Sequence, residues 1–407
     1  MNFTQEMSIK NKTLSLLGLL LITISFIAYP LISFIFLSLT AFFYKKNTLN
    51  YIYILSFITM FFFFSSLKPF GDISEYIEIY NAFGSGKIKL LEFTRFGYGI
   101  EILYPAFMNM VGEITNYNDQ VLILSTYGFI LVLISLLIKD SKELKLFFFS
   151  CITLNLCFIE ATSYFIRQVI SVLLFLYALE SKKNNKKYFL FLVSLLFHLS
   201  SLINITLYIL YNIFKHKNRM TLPLRIFIFL IIISIAFFIF FNSVYYTSLE
   251  NRVIAIINND SFSRLPTNYI LLTLVNFIFI IIIKLKYRLS MGFKSILLYK
   301  EVLLFLIFIS LPTFPNRFAM ILFAFPAYFL LSLTEKNLCI KSKKIILVSF
   351  LLINIIPFLY LLYNVTNSTN LYTFMENKPF TESLIRLMEY FYNTISNGVT
   401  FINTGNK

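Results

Sequence analysis

The stretch VLILSTYGFILVLISLLI, residues 121–138, decides the fold class of this chain. It contains no charged side chain. A helix that crosses a bilayer needs about 17–25 consecutive, predominantly apolar residues. The stretch therefore predicts a transmembrane helix rather than a buried helix of a soluble domain.

Apolar stretches of similar character fill most of the remaining chain. Hydrophobic residues make up 58% of the 407 residues and charged residues only 13%, against about 25% charged residues in an ordinary globular domain. Short polar segments separate the stretches and leave no room for a soluble domain of normal size. These patterns predict an all-α integral membrane protein, a polytopic bundle of about 11–13 transmembrane helices with a re-entrant or broken segment and an external loop region.

The net charge of +16 comes largely from lysine-rich loops between the apolar stretches. Short cytoplasmic loops of membrane proteins carry an excess of lysine and arginine. The strongest such loop is KKNNKK, residues 182–187, which we assign to the cytoplasm. Topology thus explains the charge, so we expect the phospholipid bilayer as a partner and no nucleic acid.

The sequence offers no conventional metal or nucleotide motif. The three cysteines, Cys151, Cys157 and Cys339, lack the spacing of metal ligands. A Walker loop, a G-x-S-x-G elbow and an H-E-x-x-H helix are also missing. We therefore predict no metal and no cofactor, and the sequence argues against ATP-driven or metallopeptidase chemistry.

Two apolar segments have lengths that do not suit one straight crossing. Thr13–Phe43 is too long for one helix, and Pro30 near its middle predicts two short helices with a turn between them. Tyr188–Phe214 lies between two basic loops that both belong in the cytoplasm. We interpret it as a re-entrant pair of short helices that turns at His198.

The other segments follow a regular alternation of apolar crossings and polar loops. The basic residues Lys284 to Lys300 mark a cytoplasmic loop, and residues 1–363 form one polytopic transmembrane domain with a polar external loop and short helix at 68–98. Residues 364–407 are an external tail with an amphipathic helix expected at Thr381–Tyr392. The remaining predicted spans are Tyr51–Leu67, Leu146–Ala161, Tyr164–Leu179, Ile226–Tyr246, Ile270–Ile283, Val302–Leu311, Phe318–Leu333 and Ile345–Leu362.

Two arginines stand at the outer ends of predicted helices. Glu160, Tyr164 and Arg167 are spaced to share one helical face that descends from the outer surface. Charged residues at membrane depth are costly, so Arg167 is a candidate for binding an anion such as phosphate through its planar fork. The alternatives are that it snorkels outward or pairs with Glu160. Arg317 lies at the same level in a proline-rich turn, where an interface anchor is the alternative.

Acidic residues begin the external helix. Asp72, Glu75 and Tyr76 are spaced to lie on one helical face, and Asp72 with Glu75 also fits a capping box. The same carboxylates could act as a general base on the outer face. Farther along, Arg95 precedes a short apolar segment, as in a loop that folds back over a membrane cavity. His198 is either a satisfied interior residue or a functional one at a helix break.

These motifs resemble a known family in their order and spacing. The matching elements are Gly71-Asp72 with Tyr76 and Tyr80, Phe96-Gly97-Tyr98, Ile166-Arg167-Gln168, the lysine-rich turn, and Phe197-His198. Together they resemble the Wzy-type O-antigen polymerases, specifically their EpsG-like branch. One departure is that Arg95 precedes Phe96 where the family often has a Glu-Pro-Gly-Tyr-like element. Sequence alone does not assign the missing acidic role to Glu92 or to Glu101.

The resemblance implies an enzyme that joins oligosaccharide units carried on undecaprenyl diphosphate, at the periplasmic face of the bacterial inner membrane. It implies that Arg167, Arg317 and Arg95 bind the diphosphate, and that Asp72, Glu75 or His198 supplies the base. Supporting roles are expected for Tyr76, Tyr164 and Gln168, and a chain-length regulator is a further expected partner. The alternative functions are a lipid-linked oligosaccharide flippase, an O-antigen ligase and a purely structural membrane protein.

Overall fold

The computed structural model describes residues 17–65, 72–90, 93, 96, 100–216, 267–289, 291–309 and 317–367, and parts of 383–392. The described residues contain helices and turns but no β-strand. The helices are α1 (Leu17–Ala28), α2 (Pro30–Thr40), α3 (Lys46–Ser65), α4 (Asp72–Gly84), α5 (Leu103–Thr115), α6 (Asp119–Leu137), α7 (Lys145–Thr153), α8 (Leu156–Tyr164), α9 (Ile166–Glu180), α10 (Asn184–Phe197), α11 (Ser201–His216), α12 (Thr267–Lys286), α13 (Phe293–Ile307), α14 (Met320–Ala324), α15 (Ala327–Leu330) and α16 (Ile340–Asn367).

Four described helices are long and apolar enough to cross a membrane: α3, α6, α12 and α16. One bent pair of helices, Lys139–Thr153 with Leu156–Tyr164, brings the number to five if the pair forms a single span. The other described helices are shorter, so several expected crossings take the form of short or broken helices. The predicted class, an all-α polytopic membrane protein, is confirmed. Helix α4 forms inside the polar segment 68–98, as expected.

The turn predicted near Pro30 is confirmed. Helix α1 ends at Ala28, Tyr29 is non-helical, and α2 begins at Pro30. Proline suits the first position of a helix because its fixed φ is compatible with a helix and its missing N–H would have had no partner there. The apolar block is therefore two short helices.

The span predicted over Leu146–Ala161 is not one straight helix. Lys139–Thr153 and Leu156–Tyr164 meet at an angle of 64°. The bend lies at Asn155, whose backbone is extended and whose side chain accepts a hydrogen bond from the N–H of Cys157 at 2.8 Å. An asparagine in this role begins a new helix rather than continuing the old one.

Phe318–Leu333 also differs from the single returning span that we expected. It forms α14, α15 and a short 3₁₀ turn, with the break between the helices at Phe325 and Pro326. The residues from Ala319 to Leu333 are all buried. This irregular backbone is therefore enclosed by protein, which is where a membrane protein tolerates such backbone.

The predicted pair of short helices around His198 is confirmed. His198 has an extended backbone and separates α10 from α11. The two helices fold back on each other, since Phe191 of α10 packs edge-on against Tyr208 of α11 at 5.3 Å between ring centroids. Lys187 donates a hydrogen bond to the same tyrosine at 3.1 Å. The segment is a helical hairpin with His198 at its turn.

Other predictions are corrected or lie outside the described residues. Helix α13 begins at Phe293 rather than at Val302, so Lys300 lies near its middle instead of in a loop. The span Ile226–Tyr246 lies outside the described residues, as does most of the tail 364–407. The described residues between 384 and 392 are helical.

Helix α9 lies at the centre of the bundle and positions the candidate site. It packs against α6, α8, α10 and α11. From Val169 to Ala178 every residue is buried, because the helix is apolar on all sides. Its first turn carries Arg167 and Gln168.

Candidate active site

Arg167 is the second residue of α9 and lies at a break in the chain. Phe165, with φ of −140°, separates α8 from α9 and leaves the first turn of α9 open to neighbouring segments. The Arg167 side chain is only 16% exposed. A guanidinium so far from water requires partners that compensate its lost hydration.

Three side chains surround the Arg167 guanidinium. Its Nε donates a hydrogen bond to the hydroxyl of Tyr76 at 2.9 Å. One of its terminal nitrogens forms an ion pair with Glu101. The guanidinium carbon lies 3.7 Å from the centroid of the Phe96 ring, a stacking distance for a cation over an aromatic face. Together these contacts fix the plane and direction of the guanidinium.

The expected shared face of Glu160, Tyr164 and Arg167 is wrong. The chain breaks at Phe165, so Arg167 starts a different helix and the one-face spacing does not continue through it. Glu160 accepts a hydrogen bond from the hydroxyl of Tyr269 at 3.1 Å instead. Tyr164 is half-buried beside Phe165, with ring centroids 6.3 Å apart.

Asp72, the first residue of α4, is linked to this arginine through Tyr76. The Tyr76 hydroxyl donates to a carboxylate oxygen of Asp72 at 3.0 Å. Burial raises the pKa of Asp72 to about 6, although the nearby charges of Arg317 and Arg167 act to lower this pKa. The carboxylate and the two arginines are therefore within electrostatic reach of one another. Glu75 lies one turn farther along α4 and is half-buried.

Arg317 is held next to the start of α9. The Gln168 side-chain amide donates a hydrogen bond to the backbone carbonyl of Arg317. The exposed Arg317 guanidinium lies 4.9 Å from the centroid of the Phe165 ring. The structure thus brings Arg167 and Arg317 together at one end of α9, as the sequence predicted, and gives Gln168 a structural contact with the second arginine.

The turn of the α10–α11 hairpin places His198 beside the same cluster. Its ring Nδ1 accepts a hydrogen bond from the backbone N–H of Ser200 at 3.1 Å. Because a backbone N–H can only donate, Nδ1 carries a lone pair and the ring proton of neutral His198 lies on Nε2. His198 therefore offers an N–H group, and not a second lone pair, at Nε2.

Glu101 is the site residue that sequence reasoning left unassigned. Its side chain is only 5% exposed, and its two oxygens are used by different elements. One oxygen pairs with Arg167, and the other accepts a hydrogen bond from the N–H of Leu199 at 2.8 Å. The signal available in the sequence was a lone carboxylate at the start of an otherwise apolar half-helix.

One expected site residue is not described, and one residue expected in a loop lies elsewhere. Arg95 lies outside the described residues. Lys300, expected in a cytoplasmic loop, pairs with the buried Glu301 and donates to Asn204 at 2.7 Å. In the part of the chain that the structure describes, no three His, Cys, Asp or Glu side chains cluster closely enough to hold a metal ion.

Comparison with known proteins supports the resemblance seen in the motifs. No curated protein and no solved structure matches the chain. A sequence model of the EpsG family matches residues 50–375, which include every described element of the site. The chain therefore belongs to the EpsG family, and it is a polysaccharide-biosynthesis membrane protein of the polymerase type.

Proposed function

We propose that this protein polymerises oligosaccharide units carried on undecaprenyl diphosphate, at the periplasmic face of the bacterial inner membrane. The observation that carries the proposal is the pair of arginines, Arg167 and Arg317, held at one end of α9 beside a half-buried carboxylate, Asp72. Such a site suits a substrate whose diphosphate lies at the membrane surface with its lipid tail in the bilayer and its sugars in the aqueous phase.

The proposed reaction transfers the growing chain to the incoming unit. The bond between the anomeric carbon of the growing chain and its diphosphate oxygen breaks. A new bond forms between that carbon and a hydroxyl oxygen of the incoming unit. The hydroxyl proton passes to a carboxylate, and undecaprenyl diphosphate leaves as an anion. Arginine donors that stabilise this anion replace the role that a metal ion would take.

Asp72 is the favoured base in this scheme. A carboxylate with a pKa of about 6 is mostly ionised at pH 7, yet it is a stronger base than an ordinary aspartate. Glu75 is the neighbouring alternative on the same helix. His198 is the third candidate, but its Nδ1 lone pair already accepts from Ser200, so an N–H donor role toward the diphosphate fits its tautomer better.

The test is the polymer that cells make when they carry a variant in place of the normal protein. Arg167→Ala should abolish the polymer ladder while single repeat units still reach the cell surface. Arg167→Lys should restore little of it, because lysine lacks the planar fork. Arg288→Ala is the matched control, because Arg288 is an exposed arginine in the turn after α12 and lies outside the site.

The same experiment separates the rival functions. Loss of a flippase would leave no repeat units on the outer face, and loss of a ligase would leave polymer that is not attached to its final acceptor. A normal polymer ladder from Arg167→Ala at normal protein level would contradict the proposal.

A further inference from the structure

The buried carboxylate of Glu101 contacts both Arg167 and the His198 turn through one side chain. It begins the segment before α5, far in sequence from both partners. We infer that Glu101 is a positioning residue, which holds the Arg167 guanidinium at the angle needed for group transfer and ties the hairpin turn to it. This inference rests on the proposed function, because it assigns a task to Arg167 in that reaction.

The contacts divide the Arg167 donors into two sets. A guanidinium has five N–H groups. Among the described residues, the Tyr76 hydroxyl uses one N–H and Glu101 uses another, which leaves three N–H groups for a ligand. Because Phe96 stacks on the guanidinium at 3.7 Å, the group cannot tilt, and Glu101 sets its rotation within that plane. Without Glu101, the Tyr76 hydroxyl would be the remaining hydrogen-bond partner described for the guanidinium, and its direction within that plane would be less closely fixed.

The second oxygen of Glu101 connects this arrangement to the hairpin. It accepts from the N–H of Leu199 at 2.8 Å, while His198 Nδ1 lies 3.9 Å from the same oxygen. A separation of 3.9 Å is too long for a hydrogen bond, so the backbone of the turn, and not the imidazole, makes the connection. Glu101 therefore sets the distance between α9 and the turn that carries His198.

The negative charge of Glu101 allows an experiment to distinguish a positioning role from a purely structural one. Glu101 offsets the positive charge of Arg167, so it weakens the attraction of the site for a free diphosphate. Replacing the carboxylate by an amide should leave undecaprenyl diphosphate binding unchanged or tighter, because the arginine keeps its full charge. The same change should slow polymerisation about 100-fold, since misplacement of a binding group by about 1 Å costs that much.

The experiment measures both quantities on the full-length protein. Purified Glu101→Gln is titrated with undecaprenyl diphosphate, and cells that carry the same variant are tested for polymer. We expect binding at least as tight as that of the parent together with a lost or strongly shortened ladder. Glu113→Gln is the matched control, because Glu113 is an exposed glutamate on α5 whose carboxylate accepts from Asn109. It should alter neither quantity.

Other outcomes overturn the inference. A normal ladder from Glu101→Gln would show that Arg167 needs no such partner. Loss of binding together with the ladder, at normal protein level, would show a merely structural role. If Arg167→Ala binds undecaprenyl diphosphate as well as the parent and makes normal polymer, the proposed function itself fails. If Arg167→Ala is inactive and Glu101→Gln is normal, the inference fails alone.

A second variant covers the case in which Glu101→Gln does not accumulate. Removing one partner of a buried ion pair leaves an uncompensated charge, whereas removing both charges does not. The double variant Glu101→Gln with Arg167→Gln should then accumulate better than the single variant. Failure of the second change to restore the protein would show that the two residues do not act as a pair.

Discussion

The Tyr76 hydroxyl donates a hydrogen bond to Asp72, the residue one helical turn before it, across 3.0 Å. The same hydroxyl accepts a hydrogen bond from Arg167 at 2.9 Å. One phenol therefore connects the proposed base to the proposed diphosphate-binding arginine. Because α4 ends at Gly84 and α9 begins only at Ile166, this contact also joins two elements that are distant in sequence and connects α4 to the centre of the bundle.

Removing that phenol should change the pH dependence of polymerisation. The hydrogen bond from Tyr76 lowers the pKa of Asp72, so Tyr76→Phe should raise this pKa above about 6. Asp72 must be ionised to accept a proton, and activity therefore falls as the pH drops through its pKa. We expect the acidic limb of the pH profile of Tyr76→Phe to shift to higher pH. Polymerisation by membrane vesicles across pH 5 to 8 measures the shift. An unshifted limb would show that Tyr76 does not influence the pKa of the catalytic base.

Substitutions at Asp72 distinguish a helix cap from a base. If Asp72 only caps α4, Asn and Ser should replace it well, with a loss of at most about 1 kcal/mol of stability. If it is the base, Asp72→Asn should lose roughly 10²–10⁴ in rate and fail almost as badly as Asp72→Ala, because an amide cannot take the proton. We expect the second result.

The amount of folded protein must be measured alongside the polymer from each Asp72 variant, so that lost chemistry is not confused with misfolding. Glu75→Gln is the matched comparison on the same helix. Normal polymer from Asp72→Asn would leave Asp72 as a cap and direct the search to Glu75 and His198.

The sequence predicted the elements that follow from local chemistry. Pro30 and His198 interrupt apolar stretches, and both interruptions formed where expected because each depends on residues within one turn. The sequence also suggested that Arg167 and Arg317 lie at one level, and the structure brings both residues to the same end of α9. These predictions needed only hydropathy, proline chemistry and the cost of burying charge.

The failures depend on contacts that are distant in sequence. Glu160 and Arg167 have the spacing of partners, but the break at Phe165 redirects the arginine to Glu101, which lies 66 positions earlier. Helical periodicity contains no information about such a pairing. Lys300 was misplaced for a related reason, since its partner Glu301 anchors the first N–H groups of a helix 20 residues later.

Cysteine labelling from outside the cell tests the orientation of the chain in the membrane. We expect a cysteine at Ser85, in the exposed turn after α4, to react with an impermeant thiol reagent, and a cysteine at Asn184 to be protected. Cys339 is exposed and must be replaced by serine first, whereas Cys151 and Cys157 are buried and can remain. Labelling at Asn184 but not at Ser85 would invert the topology and place the arginine site on the cytoplasmic side.

Two amide substitutions at His198 test the roles of its two ring nitrogens separately. An asparagine amide can place an oxygen near the position of Nδ1, where it can accept from the N–H of Ser200 and preserve the turn. A glutamine amide can place an N–H near the position of Nε2 but leaves the Ser200 N–H without its local acceptor. If His198 serves the reaction through Nε2–H, His198→Gln should keep more polymerisation than His198→Asn. We expect this order, because the tautomer fixed by Ser200 leaves Nε2–H as the group available to a substrate. The polymer ladder at matched protein levels measures it, and a higher activity for His198→Asn would assign His198 to the turn alone.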